Sequence, residues 1–373
     1  MFFFIVIASI LYFCSLLELE NYNRNCALQK KLFDSSILLY FGILFIFLGG
    51  IRWNYGTDWK PYYIFFERNE KIRDFLNDSY SFEVGYTLLN WISKNIVNNY
   101  TFFLFIFHTL IIIPKIKIIK DISIYPILSL FLFFCMQLGE ISAIRNYLAV
   151  SILLLTIPAI ENKEIKKFVI ITLVACSIHI SCIIWFFSYF IYHKKITKKK
   201  WIIIFIISIV ISFTGKVIVK NTVFGIVKII GNESLSYKMS VYFGDDYSDV
   251  GFSQIKKMLS LIKKLFIIPL YFIYYNKLVS KNKYNKGLIN LFLFGNAFQI
   301  CFFNFFYQLW RCVLANVFLE IILLPELIMC IRNKAAKYLV VYLYFFYGIM
   351  KLYNSTISFK DALIPYRCIF FGG

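Results

Sequence analysis

Four arginines, Arg52, Arg145, Arg311 and Arg367, stand at the edges of long apolar runs, each within two residues of a Trp or Tyr. A guanidinium stays charged at any physiological pH, and its planar fork of donors matches phosphate oxygens. Ionisable groups at membrane depth are costly and usually face a cavity or a partner. Together these arginines read as a cationic, aromatic-lined site for an anionic headgroup. The densest stretch is "GIRWNYGTDWKPYY", residues 50–63, which adds Asp58, Trp53, Tyr55, Trp59, Tyr62 and Tyr63 to Arg52. Asp58 either meets hydroxyl groups or pairs with Arg52 or Lys60. The rings either stack on sugar faces or anchor the chain at the bilayer interface, where Trp and Tyr gather anyway. Glu83 in "FEVGY", Glu140 ahead of Arg145 and Tyr366 beside Arg367 add polar groups to the same set. His179, at the centre of "SIHIS", has the unperturbed pKa best suited to moving protons near neutral pH. The carboxylates Asp245 to Asp249 in "GDDYSD" could take a divalent cation, but oxygen-only loops of this kind are usually just solvated, and no metal ligand is assigned.

The elements that must position these residues follow from composition. The chain has 373 residues, 60% hydrophobic and 16% charged, with a mean hydropathy of +0.71. Soluble domains carry about a quarter charged residues. Apolar runs of roughly 17 to 20 residues recur from end to end, each long enough to cross a bilayer core as helix. They lack the alternation of barrel strands. The expectation is an all-α, polytopic transmembrane helical bundle forming one integral membrane domain over residues 1–373. The first run lacks a basic n-region and a cleavage site, so it reads as a retained span. The net charge of +20 lies in short lysine clusters between runs, as positive-inside topology requires, and not in a nucleic-acid-binding surface. The nine cysteines show neither CxxC nor zinc spacing and read as small buried residues.

Clusters at Lys115–Lys120, Lys163–Lys167, Lys194–Lys200, Lys277–Lys286 and Arg332–Lys337 mark the cytoplasmic side. About ten spans fit between and before them, near 1–17, 36–51, 101–114, 122–138, 141–160, 201–215, 259–276, 287–305, 312–331 and 338–353. This leaves residues 52–100 and 216–258 as outer loops and makes 85–97 an amphipathic helix of the outer interface. Residues 168–192 have basic clusters at both ends. They form either one tilted span or two half-length helices in a re-entrant hairpin with His179 at its tip, and irregular backbone at that depth needs a cavity around it.

With these residues in hand, the chain resembles the EpsG/Wzy family of bacterial polysaccharide polymerases. The resemblance lies in "RWNYGTDWKPYYIFFE" (Arg52, Gly56, Thr57, Asp58), "FEVGYTLLNWI" (Glu83, Gly85, Asn90, with Val84 for the usual Pro), "IRNYLAVSI" with Asn146 for Gln, "SIHIS" with Ile178 for Phe, "LWRCVLANVFLEIILLP" and the closing "IPYR". It implies a GT-C-like membrane glycosyltransferase of the bacterial inner membrane, its site facing the periplasm or the outside. Such an enzyme moves a growing glycan from undecaprenyl diphosphate to the non-reducing end of a lipid-linked repeat unit, in O-antigen, capsule or exopolysaccharide synthesis. The partners implied are undecaprenyl-diphosphate-linked oligosaccharides, membrane lipids and a chain-length regulator; no cofactor and no metal are called for. On that reading Arg145 and Arg311, then Arg52 and Arg367, meet the charge of the departing diphosphate. His179, Asp58 or Glu83 accepts the proton of the attacking hydroxyl, and Trp53, Tyr55, Trp59 and Tyr366 line the glycan. An O-antigen ligase and a lipid-linked oligosaccharide flippase or transporter are the alternatives. A flippase should carry cations through the depth of its lumen, whereas these gather at one face.

Overall fold

The computed structural model describes residues 1–22, 27–54, 59–78, 80, 82–141, 145–230, 254–304, 307–358 and 360–370. In chain order the helices are α1 (Phe2–Tyr22), α2 (Ala27–Gly50), α3 (Trp59–Arg68), α4 (Ile72–Leu76), α5 (Val84–Ile96), α6 (Tyr100–Ile122), α7 (Pro126–Gln137), α8 (Arg145–Leu154), α9 (Ile157–Glu161) and α10 (Ile165–Ile178). They continue with α11 (Phe186–His193), α12 (Lys198–Ile230), α13 (Gln254–Lys281), α14 (Asn285–Cys301), α15 (Leu314–Glu326) and α16 (Lys334–Ser358). No sheet forms among the described residues; the only pairings outside helices there are two isolated bridges. This is an all-α polytopic membrane protein, as expected from runs that must satisfy every backbone group internally in lipid.

Among the described residues, five segments are long and apolar enough to cross a bilayer on their own: Phe2–Glu20, Gln29–Gly50, Tyr100–Ile122, Leu309–Cys330 and Lys334–Ser358. Two of the expected spans are shorter. The run near 122–138 becomes the 12-residue α7, opened by Pro126 at its first turn. The run near 141–160 breaks after Leu154, because Pro158 cannot donate to the Leu154 carbonyl and would clash with it. Nor is the cluster Lys115–Lys120 a loop. It occupies the last two turns of α6, where Ile118, Ile119 and Ile122 keep a buried stripe going and Lys117 and Lys120 point outward. Lys115 is fully buried, its Nζ 5.6 Å from the Phe133 ring centre and 5.3 Å from that of Tyr147.

The chain divides into two compact units, Met1–Phe186 with Glu320–Gly373, and Phe187–Leu319. In the first, α2 packs on α6, α1 and α16 on α7, and α8 on both α6 and α10. Its two ends differ in chemistry. At one end Glu18 accepts the backbone N–H groups of Ile127 (2.9 Å) and Leu128 (3.0 Å), closing the exposed amide end of α7. Helix direction brings the outward Lys117, Lys120, Lys166 and Lys167 to that end. The start of α1 lies at the other end, where Phe4 meets Tyr366 edge-on at 6.1 Å.

The segment 168–192 is not one helix. α10 stops at His179, whose backbone is extended (φ −154°, ψ 119°), and a 3-10 turn follows over Ile180–Trp185. Phe186 then lies edge-on to Phe168, ring centres 6.1 Å apart. Phe168 is about 15 Å below Ile178 along α10 at 1.5 Å per residue, so the chain must fold back along the helix it has just left. Trp185 anchors the return by donating to the Thr156 hydroxyl at 2.8 Å. The segment thus breaks at His179, where α10 gives way to the turn.

In the second unit α14 packs against α12 and α13. Asn290 of α14 donates to the carbonyls of Ile191 (3.2 Å), Tyr192 (3.3 Å) and Lys194 (2.8 Å), capping the end of α11. Most of the expected outer loop 216–258, with Asp245 to Asp249, lies outside the described residues.

Candidate functional site

The described part of residues 52–100 is largely helical. Asp78 ties its turns together: both its oxygens receive the Arg68 guanidinium (Nε to Oδ2 2.6 Å), Asn69 donates to Oδ2 at 2.7 Å and the Tyr80 amide to Oδ1 at 2.8 Å. Burial opposes ionisation of Asp78, but the Arg68, Tyr80 and Asn69 hydrogen bonds outweigh it and hold the carboxyl below its ordinary value. Lys94 of α5 donates to the carbonyls of Phe66 and Glu67, both at 2.8 Å, closing the end of α3. On α5 the residues Thr87, Asn90 and Ser93 are buried, while Val84, Leu88, Ile92 and Ile96 form an exposed apolar stripe. That inversion suits a helix whose outer face meets lipid.

This scaffold aims Glu83 at the hairpin tip. Glu83 is the residue before α5; its Oε2 pairs with Arg145 Nη1, and its Oε1 accepts the Ile180 amide at 3.3 Å. Gly85 is required here, since a Cβ at this position would stand 2.7 Å from the Ser177 carbonyl oxygen. Arg145 opens α8, donates from Nε to the Tyr62 hydroxyl at 3.1 Å, and has its guanidinium carbon 4.4 Å from the Phe82 ring centre. The Tyr62 and Tyr86 rings flank it, each centred at 5.5 Å. Arg145 and Glu83 keep side-chain exposures of 19% and 24%, so the pair can be reached from outside. Next to the Glu83 contact, the His179 Nδ1 accepts the Ser181 amide at 3.2 Å.

A second arginine group forms where the chain end returns. Arg52, fully buried, pairs antiparallel with Cys368. The Trp53 amide donates to the Arg367 carbonyl (3.3 Å), the Ile369 amide to the Ile51 carbonyl (2.9 Å), and the Tyr366 hydroxyl to the Leu48 carbonyl. The Arg367 side chain is exposed. Trp59 stacks on Tyr63 at 4.8 Å and exposes only 5% of its surface; Trp53 meets Trp59 edge-on at 5.2 Å. Tyr100 packs on Trp59 and Tyr63 and lies within electrostatic range of Arg52. Neighbouring residues of α3 thus serve the two groups, Tyr62 touching Arg145 and Tyr63 the rings beside Arg52.

Arg52, Trp53, Trp59, Tyr366, Arg367, Glu83, Arg145 and His179 are therefore brought to one region of the first unit. Arg311 is exposed on the 3-10 turn Tyr307–Val313 of the second. Tyr55, Asp58 and the Glu140 side chain lie outside the described residues. Sequence reading gave Tyr86 and Phe82 no part, although Tyr86 follows Glu83 by about one helical turn and Phe82 precedes it. It also passed over His108, fully buried on α6, where Nδ1–H donates to the Leu104 carbonyl at 2.8 Å. His108 borders a small apolar cavity of about 20 Å³ lined by Phe45, Ile112, Phe133, Phe134 and Leu138. A lone histidine inside an apolar run gave no signal beyond its rarity.

No curated protein and no solved structure matches the chain. A model of the EpsG family, a family of polysaccharide-polymerase-type membrane proteins, matches residues 35–368, a range that contains every candidate site residue, and the chain belongs to that family.

Proposed function

We propose that this protein is a polysaccharide polymerase that transfers a growing glycan from undecaprenyl diphosphate to the non-reducing end of a lipid-linked repeat unit. It acts without a metal, in the bacterial inner membrane, from the face turned outward. The observation that carries this reading is the placement of Arg145, partly exposed and framed by Tyr62, Phe82 and Tyr86, against Glu83 and the hairpin tip with His179.

Departure of a prenyl diphosphate from an anomeric carbon develops negative charge on phosphate oxygens, and fixed guanidinium groups stabilise it without reorganising. Arg145 supplies one such group and the exposed Arg367, at the other side of α3, another; Arg52, fully buried, adds its charge to the region from beneath the surface. The attacking hydroxyl needs a proton acceptor, for which Glu83, His179 and Asp58 are the candidates.

The test is reconstitution of the purified protein in nanodiscs with an undecaprenyl-diphosphate-linked repeat unit. A ladder of products that persists in EDTA is expected. Arg145→Ala and Arg52→Ala should be made normally and leave single repeat units. Wild-type ladder length from both variants would remove the arginine assignment, and transfer to a lipid A core acceptor would make the protein a ligase.

A further inference from the structure

Two features of the hairpin tip bear on which group takes the proton. The His179 Nδ1 accepts the Ser181 amide at 3.2 Å and caps the turn that follows. In the neutral ring the proton therefore sits on Nε2, and taking up a second proton would break the cap. That makes His179 a hydrogen-bond donor and a turn former, not a base. Glu83 has the opposite problem. Its Oε2 is held by Arg145 Nη1, so the oxygen that would take a proton is already engaged. The Arg145 Nη1 it occupies is also one that a diphosphate would need.

Resting on the polymerase reading, we propose that Glu83 is the general base and that the lipid diphosphate donor itself uncovers it. The diphosphate replaces the Glu83 carboxylate on Arg145. Glu83 stays nearby, held by its place before α5 and by the Ile180 amide on Oε1. With Oε2 released from Arg145, that oxygen is open to the acceptor hydroxyl. The acceptor hydroxyl then gives its proton to Glu83 as its oxygen bonds to the anomeric carbon. The bond from that carbon to the phosphate oxygen breaks, and its electron pair leaves on the diphosphate held by Arg145. The base exists only while donor is bound, so donor binding precedes acceptor activation.

The experiment separates binding from turnover, using nanodisc-embedded full-length protein, undecaprenyl diphosphate as the binding probe and ladder formation as the rate. Glu83→Gln should bind the probe at least as tightly as wild type, because a competing carboxylate is gone, while its rate falls by about 10²- to 10⁴-fold. His179→Asn, whose side-chain oxygen can still cap the Ser181 amide, should lose no more than about tenfold in rate. Three results overturn the proposal: a near-wild-type rate for Glu83→Gln, a parallel loss of probe binding and rate in it, or a collapsed rate with intact binding in His179→Asn. If wild-type protein neither binds the probe nor extends the repeat unit, the polymerase reading falls and takes this assignment with it.

Discussion

Arg52 pairs antiparallel with Cys368, so residues near 368 fasten the point where the chain leaves α2. The Tyr366 hydroxyl completes the joint by donating to the Leu48 carbonyl, one of the last four carbonyls of α2, which lack partners within the helix. Tyr366→Phe should cost about 1 kcal/mol. The expected reading is a drop in thermal midpoint in nanodiscs, with no drop for Arg367→Ala, whose side chain is exposed.

Gly85 lets the first turn of α5 touch the backbone at the end of α10. Gly85→Ala should push the two apart, detach Glu83 from the Ile180 amide and cost about 1–3 kcal/mol. Loss of ladder formation together with a lowered thermal midpoint is the expected outcome. A fully active, fully stable variant would show that the close approach has no consequence.

Glu18 holds the start of α7 through two buried amides. Glu18→Ala should destabilise by roughly 1–3 kcal/mol for each amide stranded away from water. Glu18→Gln keeps an acceptor oxygen and should lose less, in the same thermal unfolding series.

Asp78 makes the segment around α3 and α4 acid-sensitive. Its carboxyl is held below the ordinary value, so its contribution is complete above about pH 3.9 and is lost as pH falls through the lower folded value. Hydrogen exchange in α4 should accelerate over that acidic range in wild type. The acceleration should be absent in Asp78→Asn, whose exchange should already be fast at neutral pH.

Trp185→Phe removes the donor that fastens the returning strand of the hairpin to Thr156 and should cost about 1 kcal/mol. Amides of Ile180–Trp185 should exchange faster, while those of α8 keep their protection.

Residue chemistry made some of this legible in advance. The arginines announced themselves because a cation beside an apolar run is expensive, and "SIHIS" because basic clusters flank its segment on both sides. Where helices end was harder to read. Hydropathy cannot tell the 12-residue α7 from a full span when the apolar run simply continues into a 3-10 turn. Nor does it separate Lys115, sunk between Phe133 and Tyr147, from Lys117, which points outward two residues later.

By itself the sequence determined that the chain is helical and lives in lipid. Length, apolarity and charge placement are local quantities, and a bilayer acts on them locally. Which arginine meets which partner was decided only by the tertiary structure. Arg145 finds Glu83 because Asp78 ties the turns after α3 together and Gly85 admits the end of α10; Arg52 is buried because residues remote in sequence cover it. Such pairings depend on distances between segments remote in sequence, and no run of neighbouring residues records those distances.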